Sequence, residues 1–171
     1  RLNDEVIEFI HASAGGEKTG PKGFKTEISG VIDIPQVSVP SLVTDRNIEH
    51  LDVLHCDIQG GETGVIYSIK DLIKENRISF GVFSTHVHYI SNDPLTHQRC
   101  LGLLKEAGAR ILVEHDVHES FSGDGLIVAY FGKTKINWPD LKMSYARYSE
   151  SLFRNPLYDI DANMALRERS R

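Results

Sequence analysis

The sequence predicts an α/β fold: a mostly parallel sheet, crossed by helices and finished by an antiparallel last strand. Three observations lead there. Apolar runs rich in Val, Ile and Leu recur at residues 51–58, 78–85, 110–115 and 125–131. Segments of helical spacing separate the first three runs, and strand–helix–strand order implies parallel pairing through right-handed crossovers. Only a Gly-rich turn with no helix, Ser122-Gly123-Asp124-Gly125, leads into the last run, so the final two strands should pair antiparallel.

The elements follow in chain order. Glu5 to Ala12 alternates and then turns apolar, which predicts a strand ending at Ser13-Ala14-Gly15-Gly16. Residues 15–25 hold four Gly, one Pro and three Lys and read as a loop. From Thr26 to Val43, a Val/Ile-rich stretch interrupted by Pro35 and Pro40 predicts an irregular edge strand or hairpin, since Pro cannot donate to a ladder. Leu51 to Ile58 is the clearest buried strand, and it runs into the polar turn Gln59-Gly60-Gly61-Glu62. Val65, Ile66, Ile69, Leu72 and Ile73 share one face of a helix spanning Thr63 to Asn76. Ile78 to Thr85 is the next buried strand and ends at His86-Val87-His88. Asp93-Pro94 suits a helix start, Leu95, Leu101, Leu104 and Ala107 mark its buried face, and Gly108 ends it. Residues 1–132 therefore form the sheet domain. Residues 133–171 form an extension in which Leu141, Tyr145, Tyr148 and Leu152 have helical spacing, with a frayed Arg-rich end.

Composition narrows the function classes. The chain has 171 residues, 40% hydrophobic and 25% charged, which suits one globular domain. Lys+Arg is 19 and Asp+Glu is 24, so the net charge is 19 − 24 = −5, which argues against nucleic acid or an anionic membrane as the main partner. No apolar run reaches the ~20 residues of a membrane span. Two cysteines, Cys56 and Cys100, cannot build a disulfide scaffold and suit buried reduced thiols in a cytoplasmic protein. His11 and His55 alternate with apolar neighbours and read as buried structural histidines.

In open parallel sheets, ligands bind beyond the carboxyl ends of the strands. Those ends are Ala12-Ser13-Ala14, Asp57 to Glu62, and Thr85 to His88. Asp57, with Gln59 and Glu62, places carboxylates at a low-dielectric rim, where they can orient a ligand amine, bind a metal or take a proton. Gly60 and Gly61 allow close approach of the backbone. His86 and His88 are spaced to share one strand face and could serve as a base or as metal ligands.

The segment Leu51-Asp52-Val53-Leu54-His55-Cys56-Asp57-Ile58-Gln59-Gly60-Gly61-Glu62 resembles the fourth-strand motif of FkbM-type methyltransferases, and the flanking elements over residues 5–132 are similar to that family. The resemblance implies a Rossmann-like class I methyltransferase sheet. It implies S-adenosylmethionine as cofactor and transfer to a hydroxyl of a sugar or small natural product. Ala12, Ser13 and Ala14 would line the adenine, Asp57 and Gln59 the methionine end and acceptor, and Glu62 would hold the loop. His86 or His88 would be the base, and no metal is called for. The Gly-rich turn after the family's first strand is absent, so the resemblance implies either that ~70–100 residues of strand and helix precede residue 1 or that this chain is not a working cofactor site by itself. Two other readings are open. One is a metal-dependent hydrolase using His86, His88 and Asp57 with His115 and His118. The other is a non-catalytic module whose segment 138–158 docks a partner or a second copy of the chain.

Overall fold

The computed structural model describes residues 7–25, 28–117, 119, 120, 122–139 and 141, which form two sheets flanked by helices. The smaller sheet holds β1 (Ser13–Ala14), β2 (Thr19–Lys25) and β3 (Val31–Val37) in the order β1-β3-β2. Three expectations change here. Residues 7–12 form no strand, and Phe9 is left exposed; alternation without a pairing partner does not make a ladder. The expected loop 15–25 contains β2 instead. That strand tolerates Gly20 and Pro21 because it lies at the sheet edge and its register shifts between Thr19 and Lys22. Pro40, read as a strand breaker, lies in the first turn of α1 (Val39–Asp45). Ser38 and Ser41 cap that helix reciprocally, each side chain accepting from the other's backbone N–H.

The larger sheet holds β4 (Leu51–Cys56), β5 (Ile78–Thr85), β6 (Arg110–His115) and β7 (Gly125–Tyr130) in the order β4-β5-β7-β6. β4 and β5 are parallel, and β7 enters antiparallel between β5 and β6. The last two strands thus pair as the sequence predicts. The helix expected over 63–76 is two, α2 (Glu62–Ser68) and α3 (Lys70–Lys74), broken at Ile69. A single turn, α4 (His88–Ser91), precedes α5 (Thr96–Glu106), and the chain leaves α5 through Gly108 at φ +83°.

The core lies on one face of this sheet. Val65, Ile66, Ile69 and Leu72 from α2–α3 and Cys100 and Leu104 from α5 pack against Cys56, Phe83, Ile127 and Ala129. Each Val, Leu, Ile or Phe side chain among them contributes about 1.5–3 kcal/mol on full burial. Cys56 and Cys100 are free and buried, as expected, and burial pushes their thiols up to about 12 and about 11. The other face carries Val53, Phe80, Val82, Leu126 and Val128, none of them in that core. Among the described residues β4 is therefore an edge strand with one uncovered face, not a fully buried one, and Val53 is 58% exposed. For the same reason His55, opposite Val82, is exposed; His11, outside any strand, is exposed too. No described helix is long and apolar enough to cross a membrane.

Candidate active site

β4 ends at Cys56 and β5 at Thr85, and Thr85 is paired with Gly125, the first residue of β7. The parallel and antiparallel pairings therefore bring three chain segments to one rim: 57–61, His86 and Asp124. The 57–61 turn is tight. Gln59 takes φ +59° and Gly60 φ +99°, and a Cβ on Gly60 would come within 2.6 Å of Ser91 Cα, so only glycine fits. This turn aims two backbone N–H groups at the first residue of α2.

That residue, Glu62, is fully buried. Its Oε1 accepts from Ile58 N at 3.2 Å, Gly60 N at 3.1 Å and His86 Nδ1 at 2.9 Å. Burial pushes the carboxyl up, but the His86 and backbone donors and the His86 charge outweigh it and hold Glu62 below the usual range. Its Oε2 has no hydrogen-bond partner among the described residues.

With Nδ1 committed to Glu62, His86 presents Nε2 to the rim. Asp57 Oδ1 lies 3.2 Å away, the Gln59 side-chain nitrogen 3.1 Å and Asp124 Oδ1 3.9 Å. The bond to Glu62 raises the His86 pKa above its ordinary value against desolvation, and the charges of Glu62, Asp124 and Asp57 add to the rise. Asp124 is itself pushed up, first by burial, with His86 opposing and Asp57 and Glu62 adding. Asp57 is about half exposed and Asp124 about a third, so the group opens to solvent on their side.

A second buried histidine backs the first. Thr85 Oγ1 and His97 Nδ1 are 2.7 Å apart, and His97 Nε2 lies 2.9 Å from Glu114 Oε1. This chain ties the tip of β5 to α5 and β6. Gly125 is required beside it, since a Cβ there would strike Thr85 Oγ1 and come within 2.6 Å of His97 Nδ1.

Asp57, Gln59, Glu62 and His86 thus converge as the sequence suggests. His88 does not share a strand face with His86: β5 stops at Thr85, and His88 opens α4 with its ring against Tyr89. Ser13 and Ala14 belong to the other sheet, paired with Gln36 and Val37, and Ser13 Oγ donates to Pro35 O at 3.4 Å. Ala12 precedes them, half-buried, and Gly16 lies against Gly64 of α2, where a Cβ would sit 2.9 Å from the Gly64 carbonyl. His115 ends β6 with Nδ1 3.3 Å from its neighbour's carbonyl, and His118 lies outside the described residues. Among the described residues no group of three or more His, Cys, Asp or Glu is placed to hold a metal ion, so the hydrolase reading gains no ligand set.

Two participants were not read from the sequence. Asp124 had a signal, its place in the turn entering a strand, but its partners depend on β7 entering between β5 and β6. His97 had none: a histidine in a helix gives no hint of the strand tip it holds. The chemistry on offer is that of a buried carboxylate–imidazole pair whose second ring nitrogen meets Asp57, Gln59 and Asp124 at a solvent-open rim, the makings of a general base. Compared with family models, curated proteins and solved structures, the chain matches none.

Proposed function

We propose that this chain carries out S-adenosylmethionine-dependent methyl transfer to a hydroxyl of a sugar or small natural product, with His86 as general base. The observation that carries the reading is the Glu62–His86 pair, which turns Nε2 toward the rim. A neutral alcohol is a poor nucleophile, so its oxygen must lose a proton as it attacks. His86 Nε2 accepts that proton, and Glu62 stabilises the imidazolium through Nδ1–H. Gln59 and Asp57 border the same nitrogen and hold the acceptor in line.

S-adenosylmethionine, when bound, supplies an electrophilic methyl on a sulfonium. The rim suits that positive charge, because Asp57 and Asp124 are its exposed groups. In this reading Ala12, Ser13 and Ala14, at the tip of the smaller sheet, line the adenine. The described residues hold no Gly-rich strand–turn–helix for the nucleotide end. In this reading the four-stranded sheet is part of a larger Rossmann-like sheet, and further strands join the free edge of β4, where Val53 stands exposed.

Titration calorimetry of the intact gene product with S-adenosylmethionine, followed by labelled methyl transfer to a panel of hydroxylated sugars, tests the reading. The expected result is saturable binding, and transfer that H86Q reduces at least ~100-fold while cofactor affinity holds within about threefold. Transfer should rise with pH and level off above the raised His86 pKa, past the ordinary 6.5, because only the neutral ring takes the proton. No binding by the intact product would end the assignment.

A further inference from the structure

Thr85 and Gly125 are register partners across β5 and β7, and each adjoins a rim group: His86 follows the first and Asp124 precedes the second. One ring is set against both. His97 Nδ1 lies 2.7 Å from Thr85 Oγ1, and a Cβ on Gly125 would come within 2.6 Å of the same nitrogen. The other ring nitrogen, Nε2, is 2.9 Å from Glu114 Oε1 on β6. A single side chain of α5 thus meets three strands at one end of the sheet.

The polarity of that contact needs a reason. Thr85 and His97 are both buried. Apolar side chains of matching shape would fill the same space about as stably. What a satisfied buried hydrogen-bond network adds is a unique position. The Glu114 carboxylate, when ionised, only accepts, so Nε2 carries the proton and Nδ1 of the neutral ring accepts from the Thr85 hydroxyl. The ring cannot shift without losing one of these bonds. Gly125 closes against it: a Cβ there would strike Thr85 Oγ1, so the backbone entering β7 packs directly on the Thr85–His97 bond.

We infer that His97 is a positioning residue for the general base: through Thr85 and Gly125 it holds Asp124 at 3.9 Å from His86 Nε2. This role rests on His86 being the base and adds what fixes its surroundings. From the β4 side His86 is held directly, by Glu62 at Nδ1 and by Asp57 and Gln59 at Nε2. From the β7 side it meets Asp124, and 3.9 Å is too long for a hydrogen bond. The place of Asp124 therefore follows from the strand it leads into, and its attraction for the imidazolium depends on that distance.

NMR titration of the His86 ring reads this placement without any methyl transfer. Asp124→Asn should lower the His86 midpoint, because it removes a charge that favours the imidazolium. His97→Leu, with unchanged far-ultraviolet circular dichroism, should lower it as well. In the double variant the two shifts should not add, since a displaced Asp124 has little left to lose. His97→Asn, whose side-chain oxygen can still accept from the Thr85 hydroxyl, should recover most of the native midpoint; His97→Gln, which reaches toward Glu114 instead, should not. If His97→Leu loses its fold, His97→Gln takes its place in the cycle. In methyl transfer by the intact product, His97→Leu should lower kcat about tenfold with the acceptor KM within about threefold. An unmoved His86 midpoint in the folded His97 variant, or fully additive shifts in the double variant, would overturn the positioning role. Failure to bind S-adenosylmethionine would remove the reaction alone, and the titrations would still decide what His97 does.

Discussion

Replacing Glu62 by glutamine tests the centre of the site with almost no change of shape. In the native protein Oε1 accepts from two backbone N–H groups and from His86 Nδ1, while Oε2 has no hydrogen-bond partner among the described residues. In E62Q the amide oxygen can keep the three donors, but each bond loses its charge. The amide NH2 then occupies the orphan position and buries two donors with nothing to accept them, about 1–3 kcal/mol. Breaking a buried ionic pair costs about 3–5 kcal/mol in all. The loss should depend on pH, with a sign set by His86. A histidine whose folded pKa is raised stabilises the fold fully below its unfolded value near 6.5, and that contribution fades as pH rises through the folded value. The E62Q deficit should therefore be largest near pH 6 and shrink at pH 9 toward the pH-independent penalty of the two buried amide donors, about 1–3 kcal/mol. Urea unfolding of both proteins from pH 5.5 to 9, with NMR titration of the His86 ring, measures each part. An unmoved His86 titration, or a deficit under about 0.5 kcal/mol at every pH, would show that this pair does not hold the site together.

Other residues make separable predictions. Asp57→Asn should leave stability within about 1 kcal/mol, since the side chain is half exposed, yet lower the His86 titration midpoint and weaken the proposed methyl transfer. Gly60→Ala should cost about 1–3 kcal/mol, because it forces a Cβ to 2.6 Å from Ser91 Cα at φ +99°, and denaturation midpoints will show it. Thr85→Val leaves His97 Nδ1 unpaired in the interior and should cost about 1–3 kcal/mol by the same measurement. Cys56 and Cys100, with thiols pushed up to about 12 and about 11, should resist disulfide reagents at pH 8 until denaturant is added; rapid labelling of the native protein would contradict their burial.

Legibility in the sequence tracked how locally each feature is determined. The strands at 51–56, 78–85, 110–115 and 125–130 were readable because apolar runs bounded by turns are local signals. The same runs do not say which faces are covered, so Val53 and His55 looked buried when β4 is an edge. Pro40 and Gly20-Pro21 misled in the opposite sense, since both residue types suit a helix start or a bulged edge as well as a loop. At the site, Asp57, Gln59, Glu62 and His86 were visible as strand-tip residues. Their division of labour was not, because Glu62 appears as a helix-capping carboxylate until the Gln59–Gly60 turn delivers two N–H groups onto it. Asp124 and His97 reach the rim through pairings that span 12 to 38 positions of chain, beyond any local pattern.

The place of β7 also constrains how this protein is made. β6 touches the rest of its sheet through β7, and Phe80 must find Tyr130, 50 positions later. During synthesis, β6 therefore leaves the ribosome with no strand to join, and Ile111 and Val113 wait uncovered until residues 125–130 follow. Assembly of the sheet is thus held back until about three-quarters of these 171 residues have been translated. Asp124 comes into position only at that moment, so the rim around His86 is completed last.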